Sequence, residues 1–247
     1  LFEKNDLGIH SEVFSSTMAD LMDNGNVTGK CKQIDVGEHI AACAEGGNCW
    51  EVEVTYIDHE KVTGRPLEKL PVEHLPNLTL VQGVSKGDRM GQTIRQTTEL
   101  GIQRIIPLLS ERTIVRLAVD EGALKGERWR RIALSAAKQS GRTILPIVED
   151  PVHIDEICEE LADYDRVVIA WEEADERADG KAFGMGDALE GVTFTDKVAL
   201  IIGPEGGLTK EEVDTFKALG DFVKVITLGR LILRTETAGT VAATLAM

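Results

Sequence analysis

Two glycine-broken segments near the end of the chain carry the residue types that could do chemistry. The first, Gly203-Pro204-Glu205-Gly206-Gly207, follows the short apolar run Val198–Ile202, and Thr209 with Glu212 behind it has the spacing of a helix capping box. Amides ahead of a helix suit an anion or a closely approaching ligand. The segment has neither the Gly-Lys-Ser/Thr ending of a P-loop nor the Gly-x-Gly-x-x-Gly of a dinucleotide fold, and a tight structural turn explains it equally well. The second segment runs from Leu228-Gly229-Arg230-Leu231-Ile232-Leu233 into Arg234-Thr235-Glu236-Thr237-Ala238. It puts an arginine, a carboxylate and two hydroxyls at the start of the last helix. Ion pairing of Arg234 with Glu236 or Glu205, and capping by Thr235, are the plain structural alternatives. Both segments leave the carboxyl end of a strand, where open α/β sheets bind ligands, so their proximity in sequence predicts a ligand site.

The elements that must position these loops alternate. Strands are predicted at 78–84, 104–109, 145–148, 167–171, 198–202 and 223–227, and helices at 88–100, at about 124–140 and from about 235. Such alternation predicts a mainly parallel sheet with helices on both faces. The first 70 or so residues read differently. Asp23-Asn24-Gly25-Asn26 and Glu45-Gly46-Gly47-Asn48 signal turns, while Trp50, Val52, Val54 and Tyr56 alternate with Glu51, Glu53 and Thr55 as in a strand with one buried face. Pro66, Pro71 and Pro76 mark a stiff connection, so the reading is a small β-rich domain over 1–74 and an α/β domain over 75–247.

The net charge of −15, from 27 basic and 42 acidic residues, argues against a polyanion partner until its distribution is considered. Residues 86–146 hold 12 basic and 6 acidic side chains, a local excess of +6. The helix that contains Trp129, Ile132, Ala133, Ala136 and Ala137 at core spacing also carries Arg128, Arg130, Arg131, Lys138 and Arg142, with Arg112 and Arg116 just upstream. A phosphate-tracking surface and a merely solvated helix face both fit this pattern. Cys31, Cys43, Cys49 and Cys158 have no metal-ligand spacing and are expected to be reduced thiols. With no apolar run long enough for a membrane span and no signal peptide pattern, a cytoplasmic protein without a membrane partner is expected.

The two glycine segments together resemble the RsmE family, SPOUT-class methyltransferases that act on N3 of a uridine in 16S ribosomal RNA. The likeness continues upstream through Ser85-Lys86-Gly87-Asp88-Arg89-Met90, Glu99-Leu100-Gly101, Pro107, Ser110-Glu111-Arg112, Trp129, Ala136, Gln139-Ser140-Gly141-Arg142 and Pro146, and so covers nearly all of the chain from residue 78 onward. One departure is local: the family often has an arginine where Leu231 stands, and the basic residue here is Arg230.

The resemblance implies an α/β SPOUT domain with a parallel sheet and a deep C-terminal trefoil knot, a small N-terminal PUA-like β-barrel that binds RNA, and a homodimer. It implies S-adenosylmethionine as cofactor, held by Trp171, Glu172, Ile202, Gly203, Pro204, Glu205, Gly206, Leu228, Gly229, Ile232 and Leu233. The partner it implies is 16S ribosomal RNA or the small ribosomal subunit. Arg234, Glu205 and Glu236 are then the candidate catalytic groups, the arginine for developing negative charge or the target phosphate, the carboxylates for positioning or proton removal. Lys86, Arg89, Arg112, Arg116, Arg128, Arg131 and Arg142 are the candidate RNA contacts. Ribose 2'-O-methylation by a SPOUT enzyme and RNA binding without catalysis are the competing readings; the absence of a Ser-Leu-Asn element after the last strand counts against the former.

Overall fold

The computed structural model describes residues 14–17, 35–43, 48–57, 61–114, 119–174 and 183–247. The predicted turn at 23–26, most of that at 45–48, and Arg116 lie outside them. The chain divides into two compact units, Leu1–His74 and Leu75–Met247.

In the first unit, strands β1 (Phe14–Thr17), β2 (His39–Cys43), β3 (Cys49–Ile57) and β4 (Lys61–Lys69) form an antiparallel sheet in the order β1-β4-β3-β2. The alternation expected along β3 holds only at its centre: Val52 and Val54 are buried, but Tyr56 is 51% exposed and Cys49 rather than Trp50 is enclosed. Register shifts at Glu51/Val52 and Val54/Tyr56 explain this, because each irregularity turns the following side chains to the other face. Cys49 is disulfide-bonded, which corrects the expectation of a free thiol there. Pro66, read as part of the connection, sits inside β4. It is tolerated because β1 pairs only with Lys61–Gly64, so the proline's end of β4 needs no amide donor on that side.

The second unit is built on a seven-stranded, wholly parallel sheet. Strands β5 (Leu78–Gly83), β6 (Arg104–Leu109), β7 (Ile147–Val148), β9 (Arg166–Ala170), β10 (Val198–Ile202) and β11 (Val223–Ile226) lie in the order β11-β9-β10-β5-β6-β7, and β8 (Val152–His153) also pairs with β6. Six helices accompany them among the described residues: α1 (Arg89–Leu100), α2 (Val119–Ser140), α3 (Ile154–Leu161), α4 (Met185–Ala188), α5 (Lys210–Lys217) and α6 (Thr235–Ala246). The mainly parallel α/β architecture is as expected. Helix α2 begins five residues before its predicted start, because Gly122 weakens the helical signal of its first turn. None of the described helices is long and apolar enough to cross a membrane.

Strand β10 shows how the sheet organises the core. Val198, Leu200 and Ile202 join a cluster with Met90 and Ile94 of α1, Trp129 and Ala133 of α2, and Ala242 and Ala243 of α6. Ala199 and Ile201 join the opposite cluster, with Ile157 and Leu161 of α3 and Val213 and Phe216 of α5. The period of two sends successive side chains to opposite helical layers, which is why the strand reads as a continuous apolar run. Arg142 belongs to this scaffold: one of its guanidinium nitrogens donates to the carbonyls of Thr98 (3.2 Å) and Ile102 (2.6 Å), closing the end of α1 where Gly101 turns the chain at φ 103°.

Phe216 is the bulkiest fully enclosed side chain on the α5 face. Its replacement by alanine is expected to cost about 3–5 kcal/mol in equilibrium denaturant unfolding. A loss under about 1 kcal/mol would show that α5 is not anchored to the sheet through this ring.

Candidate active site

The carboxyl ends of β5, β9, β10 and β11 face one side of the sheet, and the loops leaving them surround two adjoining cavities. The larger, about 470 Å³, is bounded by Ile202, Gly203, Pro204 and Glu205 on one side and Leu233, Arg234, Thr235 and Glu236 on the other, with Arg89 and Glu172 at its edge. The smaller, about 130 Å³, lies between Trp171, Glu172 and the Thr227–Leu233 loop. Ala170, Glu172, Ile232, Leu233 and Ala238 border both.

Backbone proximity shapes the first wall. A side chain at Gly83 would run into Pro204 and the Gly203 carbonyl carbon, so the end of β5 touches the Gly203-Pro204 peptide directly. Gly207 adopts φ +71°, and a Cβ there would stand 2.5 Å from Glu172 Oε1. Trp171 donates from Nε1 to the Leu208 carbonyl at 3.2 Å, which ties the β9 loop to the β10 loop. Thr209 and Glu212 form the expected capping box. Glu212 does more than cap: Oε2 accepts from the Thr209 amide and Oε1 from the Glu111 amide, both within 2.8 Å, so this carboxylate also holds the loop after β6. From that loop Arg112 donates to the Gly206 carbonyl at 3.1 Å.

The charged groups are held unequally. Glu205 Oε1 accepts from the Lys86 amide and from Arg89 Nη1, each at 2.8 Å. Partial burial works to raise its pKa, but the bonds from the Lys86 amide, its own amide and Arg89, with the charge of Arg89, outweigh that and hold it below the ordinary carboxylate range. Arg89 Nε is 3.8 Å from Glu236 Oε1. Glu236 Oε2 is buried and without a hydrogen-bond partner. Arg234 occupies the residue before α6, makes no cap with its side chain and is exposed; its guanidinium has no hydrogen-bonded or ion-paired partner among the described residues. The alternative in which Arg234 pairs with Glu205 or Glu236 is therefore not realised; Arg89 occupies that place. Thr235 donates from Oγ1 to the Gly203 carbonyl at 2.7 Å and accepts from Gln82 Nε2 at 2.8 Å, joining the two walls.

The residues expected to be catalytic, Arg234, Glu205 and Glu236, thus border one cavity. Of those expected around the cofactor, Trp171, Glu172, Leu228, Gly229, Ile232 and Leu233 surround the smaller cavity, and Ile202, Gly203, Pro204 and Glu205 the larger. Gly206 is turned toward Arg112 instead. The expected RNA contacts are scattered. Lys86 and Arg89 stand beside Glu205, Arg128 pairs with Asp88 at 2.6 Å, Arg131 lies 3.8 Å from Glu127 on its own helix, and Arg142 caps α1. Sequence reasoning missed Gln82, Gly207, Thr227 and Ala238. The dipeptide Gln82-Gly83 at the end of an otherwise apolar run was the available signal.

A family model for an RNA methyltransferase domain matches residues 73–247. Ribosomal RNA small subunit methyltransferase E of Bacillus subtilis is 30% identical over 212 residues, which cover 83% of this chain and 80% of that protein. A crystal structure of Ribosomal RNA small subunit methyltransferase E from Neisseria gonorrhoeae bound to S-adenosyl methionine is 29% identical, with a TM-score of 0.71 over 85% of this chain and 82% of that one. A methyltransferase structure from Legionella pneumophila, solved in complex with the cofactor SAM, is 26% identical, with a TM-score of 0.75 over 95% and 90% of the two chains. With a parallel α/β unit that places the Gly-Pro-Glu-Gly-Gly and Leu-Arg-Thr-Glu-Thr segments across one cavity, the chain belongs to the RsmE family of RNA methyltransferases.

Proposed function

We propose that this protein transfers a methyl group from S-adenosylmethionine to N3 of a uridine in 16S ribosomal RNA of the small ribosomal subunit. The observation that carries the reading is one cavity bordered by Glu205 on one wall and by Glu236 and Arg234 on the other, with the Arg234 guanidinium unpartnered among the described residues. The relatives whose names specify small-subunit ribosomal RNA, and the neighbours solved with the cofactor, support the substrate class.

The two cavities suit S-adenosylmethionine. Leu228, Ile232 and Leu233 offer apolar surface for a nucleobase, and the glycines at 203 and 229 let main-chain groups approach it. Glu172, at the border of both cavities, suits a polar or cationic part of the cofactor. When bound, the cofactor supplies a methyl carbon on a positively charged sulfur that keeps the bonding pair as the methyl departs.

The chain's own groups account for the rest. Uracil N3 bears a weakly acidic hydrogen, which must leave as the N3 lone pair forms the new bond to carbon. Glu205 already accepts from the Lys86 amide and Arg89 and is held anionic, so its part is to fix Arg89. Glu236 is the second carboxylate bordering the cavity, without a hydrogen bond to Arg89, and receives the N3 proton. Arg234 faces the charge that spreads over N3, O2 and O4, or the adjoining phosphate. Because N3 lies on the pairing edge, the uridine must enter unpaired.

In the same reading residues 1–74 form a PUA-like RNA-binding domain and residues 75–247 a SPOUT domain with a deep trefoil knot, working as a cytoplasmic homodimer. After β11 at the sheet edge the chain returns past β9 to place α6 against β10, β5 and α1, the kind of crossing a knot requires. Leu231 and Ile232, 81% and 88% exposed beside the cavity, fit burial against a second copy.

Small subunits from cells lacking the activity, incubated with the protein and labelled S-adenosylmethionine, should yield N3-methyluridine on nucleoside digestion and mass spectrometry; a 2'-O-methyl nucleoside overturns the assignment. Arg234→Ala should reduce kcat by about 10²–10³-fold while changing unfolding free energy by no more than about 0.5 kcal/mol; near-normal turnover removes Arg234 from the mechanism. For Glu205 the sign follows from its depressed pKa. Its folded-state bonds stabilise the protein above the unfolded value of 4.5, and that contribution is lost as pH falls through the lower folded value. The stability gap between the protein and its Glu205→Gln variant should therefore be present at neutral pH and shrink on acidification below about pH 4.5. A gap that grows on acidification contradicts the assignment of Glu205 as a fixed anion.

A further inference from the structure

We infer that Gln82 is a positioning residue for cofactor binding, acting through the Thr235 hydroxyl on the Gly203 carbonyl; this rests on the reading of the adjoining cavities as the S-adenosylmethionine site. Gln82 is fully enclosed in β5, between Val81 and Gly83 in a strand whose every residue is buried. A primary amide is costly at such a position unless its hydrogen bonds are specific. Its Nε2 donates to Thr235 Oγ1 at 2.8 Å, and Thr235 Oγ1 donates to the Gly203 carbonyl at 2.7 Å.

The direction of this relay is dictated by proton count. A carbonyl only accepts, so the single hydroxyl proton of Thr235 must point at Gly203, and the hydroxyl must then accept from a donor. Gln82 Nε2 is that donor. The other end of the amide, Oε1, is buried without a partner and lies where a side chain at Gly239 would sit. Gly239 on α6 thus leaves room for an amide that could turn only by presenting an acceptor to Thr235 and breaking the relay.

The consequence is geometric. Gly203 opens the loop that carries Glu205, and Thr235 lies between Arg234 and Glu236. One buried amide therefore sets the separation of the two walls of the larger cavity, from beneath and without lining it.

The test is calorimetric titration of S-adenosylmethionine into the protein and its variants, beside their thermal unfolding. Gln82→Met keeps the length of the side chain and removes the donor. It should weaken cofactor binding about tenfold, the factor associated with one hydrogen bond of ordinary net strength. Thr235→Val should do the same, the double variant should be little worse than either, and Thr235→Ser should restore binding. Gln82→Glu supplies a readout that a packing role would not move. Its protonated acid donates to Thr235 and its anion does not, so binding should improve as pH falls, a dependence that Gln82→Met lacks. Unaltered affinity in Gln82→Met and Thr235→Val, or equal pH dependence in the Gln82→Glu and Gln82→Met variants, overturns the inference even if all unfold at lower temperature. No binding by the unaltered protein would instead overturn the reading of the cavities, and the inference with it.

Discussion

Everything at the site depends on the contact between the end of β5 and the peptide joining Gly203 to Pro204. Strand β10 is flanked in parallel register by β5 and β9, with Ile202 opposite Gln82 on one side and Ala170 on the other. The next residues along these strands must diverge or collide. Gly83 has no side chain, so the chain leaving β10 can turn across it at van der Waals separation, and a methyl group there would displace Gly203 and Pro204 together. That turn carries Glu205 back over Lys86 and Arg89, whose amide and guanidinium hold it. The position of the carboxylate is thus decided by backbone contact first and by charge second.

Charge then separates roles among residues that look equivalent in composition. Arg89 stands between two carboxylates, and Glu205 takes its short bond while Glu236 Oε1 remains at 3.8 Å. Glu205, with Oε1 held by two donors and its ionised form favoured, is a poor proton acceptor at neutral pH. With Arg89 between the carboxylates, Arg234 has no partner among the described residues, and its guanidinium donors stay open at the cavity. The chain as a whole is strongly acidic, and that background screens nothing within a cavity a few ångströms across, where the near groups decide the field.

The strands and helices of the α/β unit were legible because β-branched runs and helical apolar spacing are local signals, and both appear repeatedly after residue 78. The two glycine loops were legible as breaks at strand ends. What was not legible depended on partners distant in sequence. Arg142 reads as one more cation of a basic helix, yet it turns back to the carbonyls of Thr98 and Ile102 on either side of the Gly101 turn, forty or more residues earlier. Arg128 is matched by Asp88, forty residues earlier. In the β-rich unit the alternation of Trp50 to Tyr56 overstated regularity, since a bulge leaves no mark in a period-two pattern and reverses every face beyond it.

The distribution of buried polar groups points to where the sheet's two layers differ in purpose. On the α3 and α5 side the cluster is almost purely apolar; its enclosed polar side chains are Thr79, bonded to the Tyr164 hydroxyl, and Thr209 and Glu212, which satisfy each other and neighbouring amides at the start of α5. On the α1 and α6 side lie Gln82, Thr93, Thr97, Thr98, Thr235 and Glu236, and three of the four described buried polar atoms without partners, on Gln82, Thr98 and Glu236, belong to this layer. Two of these, Gln82 Oε1 and Glu236 Oε2, lie toward the carboxyl end of the strands, and Thr98 at the opposite end. Gly239 on α6 leaves space for one of them, Thr235 at the head of that helix converts another residue's donor into a hold on Gly203, and Glu236 one residue further borders the cavity. On the α5 side the buried polar groups close on one another; on the α6 side the bond from Gln82 to Thr235 and the open Glu236 oxygen stand at the head of the helix that borders the cavity.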